Sequence, residues 1–205
     1  DLTNVAASTS VLSDNVQIFQ VIGASANTEL DGLTLTGGRA SGFFNGGGAI
    51  NSDAEIIVKN SIIYGNTTNG AFSSGGGIYS RGNVSLVNSL VEGNTTEGSN
   101  SDGGGVSTLL SLYAIDTNFI GNKTSGGGSG GGGISSAAVN LINSSVIGNT
   151  TTGLNSDGGG VSAEQTVQLV NATIADNSTI GAYSDGGGIY SMHRVISLHS
   201  TIDVE

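Results

Sequence analysis

Few side chains in this sequence could do chemistry, and the most suggestive sit at repeated places. "SDGGGVS" stands at residues 101–107 and again at 156–162, and "SDGGGIYS" follows at 184–191. Asp102, Asp157 and Asp185 therefore each precede a run of glycines, where other stretches place Asn45, Ser74 and Gly130. If Asp157 and Asp185 are neighbours in a stack, their like charges repel unless something compensates, and Ca²⁺ with oxygen ligands is the natural counter-ion. These three aspartates are the candidate metal residues. The plainer alternative is that Ser-Asp opens a turn and the carboxylates splay into water.

A second group comprises Asp53, Glu55, Arg81, Glu164, His193 and Arg194. Carboxylates and a base gathered on one outer face would suit polysaccharide cleavage. Their spacing offers a simpler use: Asp53 and Glu55 fall about one repeat before Arg81, and Glu164 about one before His193 and Arg194. That pattern predicts ion pairs along a solvated edge, each worth little. No catalytic residue and no organic cofactor is assigned, Ca²⁺ being the one ion the residues suggest.

The elements that must position these groups are repeats. The tetrad Gly-Gly-(Ala/Gly)-(Ile/Val) ends at Ile50, Ile78, Val106, Ile134, Val161 and Ile189, in steps of 28, 28, 28, 27 and 28. Asn66, Asn94, Asn122, Asn149 and Asn177 keep the same period with the same one-residue deletion. Apolar residues fall into columns: Ile56, Val84, Leu112, Val139, Val167, Val195; then Val58, Leu86, Ala114, Leu141, Leu169, Ser197; then Leu35, Ile63, Val91, Phe119, Val146, Ile174, Ile202. Alternation by two, rich in β-branched residues, is the signature of strands.

Short strands repeated at this period predict an all-β, right-handed parallel β-helix of about seven coils with three short strands per coil. The hand follows from the general preference of parallel crossovers. Residues 1–15 read as a lead-in or cap, 16–38 as an atypical first coil and 39–205 as regular coils of one domain. The glycines are the corners, where positive φ and close approach of neighbouring coils suit a residue without a side chain. The Asn column predicts an inward amide ladder at a second corner. Asn60, Asn88, Asp116, Asn143, Asn171 and His199 predict another at a third, so His199 replaces a stacking amide. The Asn-x-Thr sequences that start at Asn66, Asn94, Asn122, Asn149 and Asn177 are then by-products of the repeat. Their threonines, Thr68, Thr96, Thr124, Thr151 and Thr179, form an unbroken column whose outward display would make ice binding conceivable.

Composition removes other functions. A net charge of -11 with five Lys and Arg leaves little to neutralise phosphate, so neither nucleic acid nor an anionic membrane is an expected partner. Zero Cys excludes disulfides and thiolate chemistry, and fits export. No apolar run reaches the ~18 residues of a membrane span, so this segment is not expected to insert into a bilayer.

The Gly-Gly-Ala-Ile at residues 47–50, its variants such as 103–106, and the Phe-x-x-Asn at 119–122 resemble the repeat motifs of the chlamydial polymorphic outer membrane proteins. The resemblance covers residue 47 to the C-terminus and, more loosely, 16–38. It implies a secreted or cell-surface β-helical passenger, often adhesive. The expectation is a non-enzymatic structural or adhesive module displaying loops such as 67–74 and 123–130 to a cell-surface protein or glycan. Alternatives are a polysaccharide-binding or polysaccharide-cleaving β-helix, a Ca²⁺-stabilised surface array and an ice-binding solenoid. The sequence begins at Asp1 and stops at Glu205, where an Asn is due, without a visible polar cap. This predicts a longer array or end-to-end self-association.

Overall fold

The alternating apolar columns become ladders of strands. The computed structural model describes residues 16–23 and 28–203, so the proposed lead-in at 1–15 lies outside the described residues. Val84 lies opposite Ile56 on one side and Leu112 on the other, and the ladder continues through Val139, Val167 and Val195 in parallel register. Ile50, Ile78, Val106, Ile134, Val161 and Ile189 form a second ladder, and Leu35 through Ile202 a third. From Ile50 to Ile174 these side chains are fully buried, in one continuous core along the rod axis. The chain is thus an all-β parallel solenoid of about six turns, close to the seven expected.

Its three faces are sheets of twelve, seven and six strands. Three short strands per coil were expected, but the first face holds two strand segments per coil, such as Ile50–Ser52 and Ile56–Lys59, so that coil has four. In two middle coils the segments fuse into the continuous strands Val106–Ile115 and Ile134–Ile142. The register between these two changes from Thr108↔Ser136 to Ser111↔Ala138, so the one-residue deletion is absorbed in a bulge at this place.

The corners explain the glycines. Gly103 has φ +65°, where a Cβ is strained, and a Cβ on Gly104 would fall on the carbonyl oxygens of Gly132 and Lys123. The first glycine makes the turn and the second lets adjacent coils touch.

At the second corner the amide ladder is present. Asn66 donates from Nδ2 to Oδ1 of Asn94 at 2.9 Å, and the same oxygen accepts the Asn66 backbone N–H at 3.0 Å. Asn94, Asn122 and Asn149 repeat the pattern to the next coil. Each of these asparagines is buried, as their reading as by-products of the repeat requires. The third polar column also bonds coil to coil, for example Asn88 Nδ2 to Asn60 Oδ1 at 2.8 Å, but on the exposed surface. Its residues, His199 included, adopt φ of 47–51°, a conformation Asn and Asp tolerate better than most.

The threonines do not face outward. Thr68, Thr96, Thr124 and Thr151 are fully buried, and three of them donate to the backbone carbonyl five residues on (Ser73, Ser101 and Ser156). The ranks expected to organise water instead tie down the next corner from inside. Strand parity places Arg39, Thr67, Thr95, Lys123, Thr150 and Ser178 in the outward column of that face.

Candidate functional site: a groove along the first sheet

The outward column directly after the core tetrad reads Asn51, Tyr79, Ser107, Ser135, Ser162, Tyr190, each in register with the next. Three serines between two tyrosines leave a trough, because the small side chains do not fill the space that the rings fill at either end. The trough is a groove of about 340 Å³ running along the rod. The glycine corner builds one wall with Ser74, Asp102, Gly130 and Asp157. The turn after the first strand segment builds the other, with Leu109, Ala137, Glu164 and Met192 among its residues. Leu109 and Met192 are exposed, giving that wall an apolar rim.

The corner wall is held by hydrogen bonds between coils. Asp102 receives the Gly130 backbone N–H on Oδ1 at 2.7 Å, and its own N–H donates to Ser74 Oγ at 3.0 Å. Asp157 Oδ1 receives the Asp185 N–H at 2.7 Å. The three candidate metal aspartates do share one position of the repeat. Its member in the earlier coil is Gly46 rather than Asn45, because Ile50 aligns with Ile78; Asn45 belongs to the neighbouring serine column, donating its N–H to Ser73 Oγ. One oxygen each of Asp102 and Asp157 is thus occupied by a backbone amide of the next coil, a bond between coils rather than within the Ser-Asp turn. Among the described residues no group of three or more His, Asp or Glu is arranged to hold a metal ion.

Burial holds the Asp102 carboxyl above its ordinary value; the Gly130 N–H pulls it down, and the nearby negative charge of Glu164 pushes it up again. Two carboxylates from different walls therefore feel one another across the groove. With Asp157 they make it acidic, since among the described residues no Lys, Arg or His lines it.

The second candidate group divides. Arg81 pairs with Asp53 across one coil, as expected, and its guanidinium also lies 5.8 Å from the centre of the Tyr79 ring. Glu164 does not pair with His193 and Arg194: His193 Nδ1 meets the Glu164 backbone oxygen at 3.0 Å, leaving the carboxylate to line the groove. The ion pairs among the described residues are Arg81–Asp53 and Lys59–Glu29. Tyr190 and the exposed Met192 form the far end of the trough. The tyrosine–serine column was overlooked in the sequence, although it shows at the repeat period.

No family model, curated protein or solved structure matches the chain.

Proposed function

We propose that the chain is a structural and adhesive module of an exported bacterial cell-surface protein, and that it contacts its partner through this groove. The carrying observation is the trough: on a rod whose inward columns repeat coil after coil, the outward column changes from Tyr to Ser and back within one face. A column that only served the fold has no need of such a change, whereas a recess with polar walls and aromatic ends is the usual form of a binding site. The resemblance to the chlamydial repeat family supports the surface setting. Probing arrays of surface glycans and cell-surface proteins with the intact rod, with and without Ca²⁺, tests the reading. Retention of a partner that the Ser162→Tyr variant loses supports it; equal retention by both proteins overturns it.

A second reading, a polysaccharide-cleaving solenoid, is favoured by one feature. Asp102 and Glu164 line the same groove from opposite walls, and burial raises the Asp102 carboxyl above its ordinary value, the direction a general acid needs. Release of new reducing ends from any glycan the rod retains, abolished in Asp102→Asn, would establish it.

A further inference from the structure

The adhesive reading leaves the ligand open, and the groove narrows it. Its floor spans five coils from Tyr79 to Tyr190, four parallel steps of ~4.8 Å, or roughly 19 Å. The spacing is set by backbone pairing, so the Ser107, Ser135 and Ser162 side chains recur once per coil along a straight line. An extended β-linked pyranose chain advances by close to one coil per sugar, so successive sugars would fall over the half-buried Ser135 and Ser162, with the more deeply buried Ser107 beneath the next.

The chemistry of the lining suits the same ligand. Hydroxyls on the floor both donate and accept, as sugar hydroxyls do. Carboxylates from Asp102, Asp157 and Glu164 are strong acceptors for ligand O–H groups, and each of the two aspartates keeps its second oxygen beyond the inter-coil bond. Tyr79 and Tyr190 put aromatic rings with a polar tip at the two ends, and the C–H face of a pyranose packs on such rings. Among the described residues no basic side chain lines the groove, Arg81 beside Tyr79 being paired with Asp53, and with a chain charge of -11 this sets the groove against uronates, sulfated glycans and nucleic acids.

We propose that the groove between Tyr79 and Tyr190 binds an extended, uncharged β-linked oligosaccharide of about four sugars, one per step between coils. The proposal rests on the adhesive reading of the groove and commits it to one ligand class.

The repeat itself supplies a blocking variant. Tyr79 sits against Gly46 of the preceding coil, whose Cβ would meet the ring; Ser162 sits in the same relation to Gly130. Ser162→Tyr therefore places a ring where the fold already accommodates one, and fills the trough. The experiment is titration calorimetry of the whole chain with cellohexaose, xylohexaose and hexagalacturonate, alongside Ser162→Tyr and Tyr190→Ala of matched melting temperature.

Binding of a neutral hexasaccharide, at least about tenfold stronger than that of hexagalacturonate and weakened about tenfold or more in both variants, supports the proposal. Preference for hexagalacturonate, or neutral-sugar binding that Ser162→Tyr leaves intact, overturns it. Failure of all three sugars, with a surface protein still retained in a way Ser162→Tyr abolishes, overturns the ligand class but preserves the adhesive reading. Failure of every partner overturns both.

Discussion

The Oδ1 atom of Asn122 accepts two hydrogen bonds from the coil before it, the backbone N–H and the Nδ2 of Asn94, each at 3.0 Å. Its own Nδ2 donates to Val91 O and to Asn149 Oδ1, both at 2.9 Å. One amide thus links three coils at a fully buried position. Asn122→Ala leaves several buried groups unpaired, at about 1–3 kcal/mol each, so a loss of about 2–5 kcal/mol is expected in chemical denaturation. Asn88, in the exposed column, offers the contrast. It has φ 47° and one surface bond to Asn60, so Asn88→Gly should change stability by less than about 1 kcal/mol. Equal losses at the two sites would show that burial is not what gives the inner ladder its weight.

The buried threonines allow a sharper comparison. Thr96 Oγ1 donates to Ser101 O at 3.0 Å, whereas Thr124 Oγ1 is buried with no hydrogen-bond partner. Thr96→Val orphans a carbonyl and should cost about 1–2 kcal/mol. Thr124→Val replaces an unsatisfied hydroxyl by a methyl of nearly the same volume, and should be neutral or stabilising. Urea midpoints of the two variants decide the matter, and a larger loss at Thr124 would refute the account.

These cases show what was legible in the sequence. The period of 28 with its single 27 fixes register, and register fixes which residues stack, so the apolar ladders and the inner Asn ladder follow from counting. Facing is harder to read. Thr68 and its copies are polar, β-branched and adjacent to a buried Asn, and parity alone could place them on either side; burial follows because a corner carbonyl needs their hydroxyls. Asn45 was assigned one place off because its stretch has three glycines before Ala49; the step of 28 from Ile50 to Ile78, which the strand pairing repeats, puts the first of them, Gly46, at the Asp102 position. The groove was missed for a different reason. Ser107, Ser135 and Ser162 carry no chemical signal singly, and their meaning lies in being small between Tyr79 and Tyr190. Glu164 reaches the groove rather than His193 because the turn offers its backbone oxygen to that ring, a choice no spacing encodes.

Asp102 makes stability depend on pH in a definite direction. Burial raises its folded-state value, so the folded chain binds the proton more tightly than the unfolded chain does. The stabilising contribution is then complete below the ordinary aspartate range near pH 4, and is lost as pH rises through the folded value. Asp102→Asn keeps an oxygen for the Gly130 N–H but cannot ionise. Other carboxylates titrate in the same range, so the informative quantity is the difference between the two proteins. Melting curves from pH 3 to 8, a range spanning roughly the aspartate window, should show the wild type losing ground to Asp102→Asn as pH rises, with the gap constant above the window. A gap that opens as pH falls would show that the Gly130 bond outweighs burial.

The outermost corner stores strain that can be removed by substitution. Phe44, Phe72 and Tyr183 have φ of 56–59°, positions at which intervening coils use Asn100, Gly128 and Asn155. A bulky residue there costs about 1–2 kcal/mol against the right-handed regions. Phe72 offsets part of this by stacking on Phe44, ring centres 5.2 Å apart and 21° between planes, a contact worth about 0.5–1.5 kcal/mol. Tyr183 is 84% exposed and has no ring partner among the described residues, so nothing comparable offsets its strain. Tyr183→Asn should therefore stabilise the rod by about 1 kcal/mol, and Phe72→Asn should leave it nearly unchanged because relief of strain and loss of the stack cancel. Thermal unfolding of the two variants measures the difference directly. If Tyr183→Asn destabilises, its ring makes contacts that exposure does not reveal, and the backbone term is not the one that governs this corner.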